Sequence, residues 1–201
     1  MIKLYGTRQS RAMRSLWALE ELGLKYEHVP TNFTTDAKKP EYLAINPNGR
    51  VPALVDGEVT LFESMAINLY LAKKYDMKGL YPKAAADEAR AIQWSFWGMT
   101  ETEQALLQVL LNRVFLPDPQ RDEAAALAGE EKLAQPLRVL DGALAGKKYL
   151  LGDGFTIADL NVASVLAWAL FVKLDLAKTP NVGRWLAECC GRPSFAKAQR
   201  G

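Results

Sequence analysis

Histidine and cysteine are nearly missing from this chain of 201 residues, which has one of the first and two of the second. Metal sites built on several imidazoles or thiolates are therefore excluded, because they draw most of their ligands from those residue types. Cys189 and Cys190 are adjacent. Neighbouring cysteines rarely close a structural disulfide, so the pair points to a reducing compartment and to buried helix positions. The lone His28 falls on an expected strand and reads as an incidental strand residue rather than a catalytic base. An excess of one charge is lacking as well: 25 Lys and Arg face 23 Asp and Glu, for a net +2. With no basic run interleaved with aromatics, nothing argues for nucleic acid. Long apolar runs are also absent. The longest charge-free apolar stretch, Leu160 to Val172, falls short of the ~20 residues that a membrane span needs and reads as a core helix. The opening MIKLYGTRQSR has no apolar signal core, which argues against export and for the cytoplasm.

What is present is an ordinary folded composition, 49% apolar and 24% charged, in a length that suits one large domain or two small ones. Ile2 to Tyr5 alternates and reads as a strand. Ser10 precedes a helical pattern from Arg11 to Leu22, in which Ala12, Leu16 and Leu19 repeat at helical spacing and Gly23 is the stop. Tyr26 to Val29 is a second strand closed by Pro30. Asp56-Gly57, between Ala53–Val55 and Glu58–Leu61, predicts a hairpin with a two-residue type I′ turn. Ser64 then reads as the N-cap of a helix over Met65 to Tyr75, uncharged to Ala72 and so expected to be buried on most of its circumference. Strand, helix, strand, irregular segment, hairpin and helix together predict a mixed sheet with helices packed on it.

Two features of this stretch exceed scaffolding. Pro52 sits at the mouth of a strand, where its missing N–H suits an edge or an irregular joint. Glu63 places a carboxylate between a hydrophobic strand and a buried helix, beside an anion-favouring helix N-terminus. The segments NPNGRVPAL and ESMAI, separated by the hairpin, resemble the glutathione-binding half of the soluble glutathione transferases. The resemblance implies a thioredoxin-like domain, a cis Val51-Pro52 bond and a Val51 main chain that pairs with the cysteinyl backbone of glutathione by strand addition. It gives Glu63 the ammonium and Ser64 the carboxylate of the γ-glutamyl end. Lys38 matches the position of a basic residue for the glycyl carboxylate, and Arg50 flanks the same cleft.

LYGTRQSRAMRSLWALEELG resembles the serine-using, bacterial-type branch, in which a hydroxyl at the place of Ser10 donates to the glutathione sulfur. Arg11 stands where that branch often has Pro, and Tyr5, Thr7 and Arg11 are rival donors. No base lies beside Ser10, so it is not read as a covalent nucleophile. A donor to a thiolate needs none. Lowering a thiol pKa from ~8.5 by about two units takes roughly 2.7 kcal/mol. One hydrogen bond to a charged acceptor supplies ~1.5–3 kcal/mol and a helix N-terminus ~0.3–1 kcal/mol, which suffices.

Met77 to Pro82 (MKGLYP) is the natural linker, and the expected division is 1–78, a linker at 79–84 and an all-helical part at 85–201. Helical patterns run over Ala86–Phe115, Gln120–Leu144 with Pro136 inside, Thr156–Phe171 and Val182–Cys190. Thr156 and Asp159 form a capping-box pattern, with Phe155 and Leu160 as a staple, and are read as stability elements. Of the aromatics Trp94, Phe96 and Trp97, Trp97 is taken as lining for an electrophile. The resemblance thus implies an α/β thioredoxin-like domain followed by a helical bundle, acting as a cytosolic homodimer that joins glutathione, its co-substrate, to small hydrophobic electrophiles. It implies no metal, membrane or nucleic-acid partner. A non-catalytic binding module of the same fold, or a glutathione-dependent peroxidase or reductase, is the alternative.

Overall fold

The computed structural model describes residues 1–76 and 79–200; Met77 and Lys78, in the expected linker, lie outside the described residues. The chain divides into two compact units, Met1–Tyr81 with Arg192–Gly201, and Pro82–Gly191. The helical part was expected to run to the chain's end, but its last stretch returns to the first unit.

In the first unit, β1 (Ile2–Tyr5) lies between β2 (Tyr26–Val29), parallel to it, and β3 (Ala53–Asp56), antiparallel; β4 (Val59–Phe62) pairs antiparallel with β3. The order is β2-β1-β3-β4, so Pro52 opens an interior strand, and of its two expected settings the irregular joint is the one found. The parallel pair requires a crossover, which is α1 (Ala12–Leu22). Its buried residues include Leu16, Trp17 and Leu19, and it ends on left-handed Gly23 with Gly23 N–H to Glu20 and Leu24 N–H to Leu19. A short helix, α2 (Pro40–Leu43), follows β2.

The hairpin differs from expectation by one position. Asp56 pairs with Val59, so the loop is Gly57-Glu58, and of these two only Gly57 has positive φ, at 63°. Positive φ at the first loop position alone fits a II′ turn better than I′. Asp56 is held in the ladder instead, where its carboxylate accepts from Tyr70 (2.9 Å), Lys74 (2.8 Å) and Tyr75 (2.6 Å). All three donors lie on α3 (Ser64–Tyr75). That helix buries Met65, Ile67, Asn68, Leu71 and Ala72, while Ala66, Lys73 and Lys74 are exposed, so it is more one-sided than its uncharged run suggests.

The returning helix α9 (Pro193–Arg200) packs on α1. Phe195 stacks edge-on to Trp17 at 4.8 Å, the Trp17 indole donates to Ser194 (3.1 Å), and Glu21 accepts from Arg192 and Ser194.

The second unit is helical: α4 (Ala85–Trp97), α5 (Gln104–Leu110), α6 (Glu123–Ala143), α7 (Ile157–Phe171) and α8 (Pro180–Cys190). Between Ala85 and Phe115 the helix is continuous but widens into π turns at Gly98–Glu103 and Leu111–Phe115. Hydroxyls of Ser95 and Thr102 donate back to the carbonyls of Ala91 and Gly98 in this region, a bonding that bends helices. The capping box of α7 is formed. Asp159 also accepts from Leu150 N–H (2.8 Å) and the Trp185 indole (2.9 Å). Phe155 stacks on Tyr149, at 5.6 Å. Cys189 and Cys190 lie on α8 and are not in a disulfide, the first is buried, and burial pushes the Cys190 thiol up to about 12. No described helix is long and apolar enough to cross a membrane.

Candidate functional site

One cross-strand row organises the site. Val29, Tyr5, Ala53 and Phe62 are successive register partners across β2, β1, β3 and β4. The next residue along β1 is Gly6, the one before Ala53 is Pro52, and the one after Phe62 is Glu63. The loop carrying Ser10, the Val51-Pro52 joint and the Glu63-Ser64 pair therefore leave the sheet at the same end. At ~4.8 Å between strands, the span from β1 to β4 is roughly 10 Å, the length of an extended tripeptide.

The Val51-Pro52 bond is cis. Among the described residues no hydrogen-bond partner is found for the Val51 main chain, while its side chain is buried with Ala37, Tyr42 and Ala53, and Tyr5 and Ile45 pack against that cluster. The preceding turn is held by two residues that sequence reading passed over. Asn46, 2% exposed, donates to the Arg50 carbonyl (2.6 Å) and accepts from Asn48 N–H (3.1 Å). Tyr42 donates to the same carbonyl (2.7 Å), and burial pushes its hydroxyl up to about 12, so it remains a donor. An asparagine in an NPNG string reads as turn chemistry, and only its burial marks Asn46 as the hinge of the segment. Lys38 donates to the Gly49 carbonyl (2.6 Å), and the exposed Arg50 follows, so both expected cations lie at this turn.

Ser64 is the first residue of α3, not its N-cap; Glu63 is the flanking residue, with φ 71°. The left-handed turn at Glu63 brings the chain straight from β4 into the helix, which carries the Ser64 hydroxyl into the first turn. The Ser64 side chain is buried and that of Glu63 is exposed rather than wedged, and neither bonds another described residue. Their polar atoms stand at the positive end of a three-turn helix.

Ser10 lies one residue farther from α1 than expected, since the helix starts at Ala12 with Arg11 flanking it. Its hydroxyl accepts from Ala12 N–H (3.1 Å) and donates to the Thr7 carbonyl (2.7 Å). The single hydroxyl proton must swing off Thr7 to reach any other acceptor. Gly6 explains the closeness of the loop to the joint. With φ 134°, a Cβ there would meet Ala12 Cβ at 2.5 Å, Val51 Cβ at 3.2 Å and Ser10 Oγ at 3.5 Å, so Ser10 and Val51 flank the same glycine. Tyr5 is turned to packing, its ring edge-on to Tyr42 at 5.9 Å. Trp97 belongs to the second unit, half-buried and stacked on Trp94 at 5.0 Å. Among the described residues no group of His, Cys, Asp and Glu could hold a metal ion.

The fold is a thioredoxin-like domain, with the candidate site at one end of its sheet, joined to a helical unit. The chain belongs to the glutathione S-transferase family: residues 1–73 match its N-terminal domain and residues 102–193 its C-terminal domain. Glutathione S-transferase 3 of Zea mays is 39% identical over 207 residues, covering 98% of this chain and 92% of that protein. Glutathione S-transferase GstB of Escherichia coli K12 is 34% identical, over 98% and 97%. The crystal structure of the theta class enzyme of Xanthomonas axonopodis pv. citri, with glutathione bound, has a TM-score of 0.91 at 30% identity and covers 100% of this chain and 97% of that one.

Proposed function

We propose that this protein binds glutathione as the thiolate and conjugates it to hydrophobic electrophiles, with Ser10 as the donor that holds the sulfur ionised. The observation that carries the reading is the convergence of the Ser10 loop, the Val51-Pro52 joint and Glu63-Ser64 at one end of the sheet. The Val51 main chain pairs with the cysteinyl residue; Glu63 takes the γ-glutamyl ammonium; Ser64, with the first-turn amides of α3, takes its carboxylate. Lys38 and Arg50 receive the glycyl carboxylate. The thiolate then attacks an electrophilic carbon, forming the C–S bond while the leaving group departs with its electron pair. Ser10 contributes by turning its proton from Thr7 to the sulfur, a bond of charge-assisted type worth ~1.5–3 kcal/mol. Trp97 is assigned to the electrophile's apolar lining, and the working protein is a cytoplasmic homodimer.

Three measurements test this. Retention on immobilised glutathione with turnover of an aryl halide supports conjugation; retention without turnover leaves a binding module. Ultraviolet titration of bound glutathione is expected to show a thiol pKa about two units below the free value. An unshifted titration overturns the mechanism. A sedimentation mass of one chain at micromolar concentration removes the dimer.

A further inference from the structure

We infer that His28, the only histidine in the chain, is a positioning residue for thiol activation. It acts by clamping the Gly6 carbonyl and thereby orienting the turn that carries the Ser10 hydroxyl. The inference rests on the transferase reading above and adds a residue to its machinery.

His28 Nε2 lies 2.7 Å from the Gly6 carbonyl oxygen. A carbonyl only accepts, so Nε2 carries the proton and donates. The Gly6 N–H in turn donates to the Val29 carbonyl (3.1 Å), which ties both main-chain groups of Gly6 to β2. Gly6 also leaves no room for a side chain, since a Cβ there would meet Ala12 and Val51, and it sits at a φ that favours glycine. The clamped carbonyl belongs to the peptide plane shared with Thr7. The Thr7 carbonyl is the acceptor of both the Ser10 N–H (3.1 Å) and the Ser10 hydroxyl (2.7 Å). Rotation of the Gly6–Thr7 plane therefore swings the group that aims Ser10. Losing the His28 bond permits that rotation, because the other restraint on Gly6 acts on its amide, on the far side of its α-carbon. The histidine thus acts across two peptide units on a hydroxyl it does not touch.

Side-chain reach separates positioning from plain packing. Glutamine can place its amide nitrogen where Nε2 stands; asparagine, one methylene shorter, cannot, and leucine fills space without donating. Bound glutathione is titrated by ultraviolet absorbance in the wild type, His28→Gln, His28→Asn and His28→Leu, with kcat and KM for glutathione measured on each. For His28→Asn and His28→Leu, the bound thiol pKa is expected to rise by about one unit and kcat to fall about tenfold, with KM within about twofold of wild type. His28→Gln should restore most of both. Should His28→Leu fail to fold, the Gln and Asn pair decides alone. Wild-type titration and kcat in His28→Asn, or equal damage in Gln and Asn, overturns the inference. A wild type that does not lower the thiol pKa at all sinks the transferase reading itself, so the two failures are distinguishable.

Discussion

Ser10 and Tyr5 show how far a residue's type falls short of its role. Both carry a hydroxyl near the end of β1, and either could serve a sulfur. In the fold Tyr5 is committed to the Tyr42 and Val51 cluster, whereas Ser10 has its proton on the Thr7 backbone carbonyl, and its hydroxyl and Val51 flank the same glycine. Ser10→Ala is therefore expected to lower kcat roughly 10- to 100-fold and raise the bound thiol pKa, the loss of one charge-assisted bond. Tyr5→Phe keeps the ring and should leave both near wild type. Steady-state kinetics and thiolate titration on the two variants check this, and equal effects would return the donor assignment to Thr7 or Arg11. The candidate set Lys38, Arg50, Val51, Pro52, Glu63 and Ser64 was legible from a short string of motifs. Gly6, Asn46 and Tyr42 were not, because their importance lies in what crowds or bonds them.

At the scale of elements, local pattern and tertiary packing pull in opposite directions along α6. Two glycines interrupt it, each a cost of ~1 kcal/mol against alanine in an isolated helix. Gly142 has nothing within 4 Å of a built Cβ, but at Gly129 that atom would lie 2.8 Å from both the Ala105 carbonyl oxygen and Val109 Cγ2 on α5. Gly142→Ala is thus expected to raise the melting temperature. Gly129→Ala should lower it, because overpacking against a backbone carbonyl costs ~1–3 kcal/mol and outweighs the propensity gain. Calorimetry on the pair reads the signs directly. The same tension explains the helix starts. The pattern at Thr156 predicts its capping box from four adjacent residues, all the information being local. By contrast, α8 begins where Asp141 of α6 accepts from Asn181 N–H (2.8 Å) and Val182 N–H (3.1 Å), a cap delivered from 40 residues away that no local motif announces.

For the molecule as a whole, carboxylates held below their ordinary range set the acid limit of stability. Asp56 is the best placed. Burial, its largest single influence, works to raise it, yet the bonds from Lys74, Tyr75 and Tyr70 and the charge of Lys74 together hold it below 3.8. Asp36, beside Lys39, Glu123, beside Arg113, and Glu188, beside Lys148, are lowered too. A group with a depressed folded pKa contributes stability above its unfolded value and loses it as pH falls through the folded one. Asp159 acts in the other sense: burial raises it despite four hydrogen bonds, so its contribution weakens as pH rises through its folded pKa. Melting temperature is therefore expected to fall steeply below pH 4. Asp56→Asn, which keeps an acceptor but removes the charge, should lower the plateau and flatten that acid limb. A limb of unchanged slope would remove Asp56 from the account.

Residues alone determined the mixed sheet, the helical second half, the hairpin to within one position and the capping box, since each follows from periodicity or turn chemistry within a dozen residues. Folding decided which distant segments meet. Strand order and register brought Gly6, Pro52 and Glu63 to one end of the sheet, and the parallel partner β2 set His28 against the Gly6 carbonyl. The last helix returned to Trp17 rather than staying with its neighbours in sequence. Such pairings depend on long-range contacts that satisfy buried donors and apolar faces only in the assembled chain, so no short stretch encodes them.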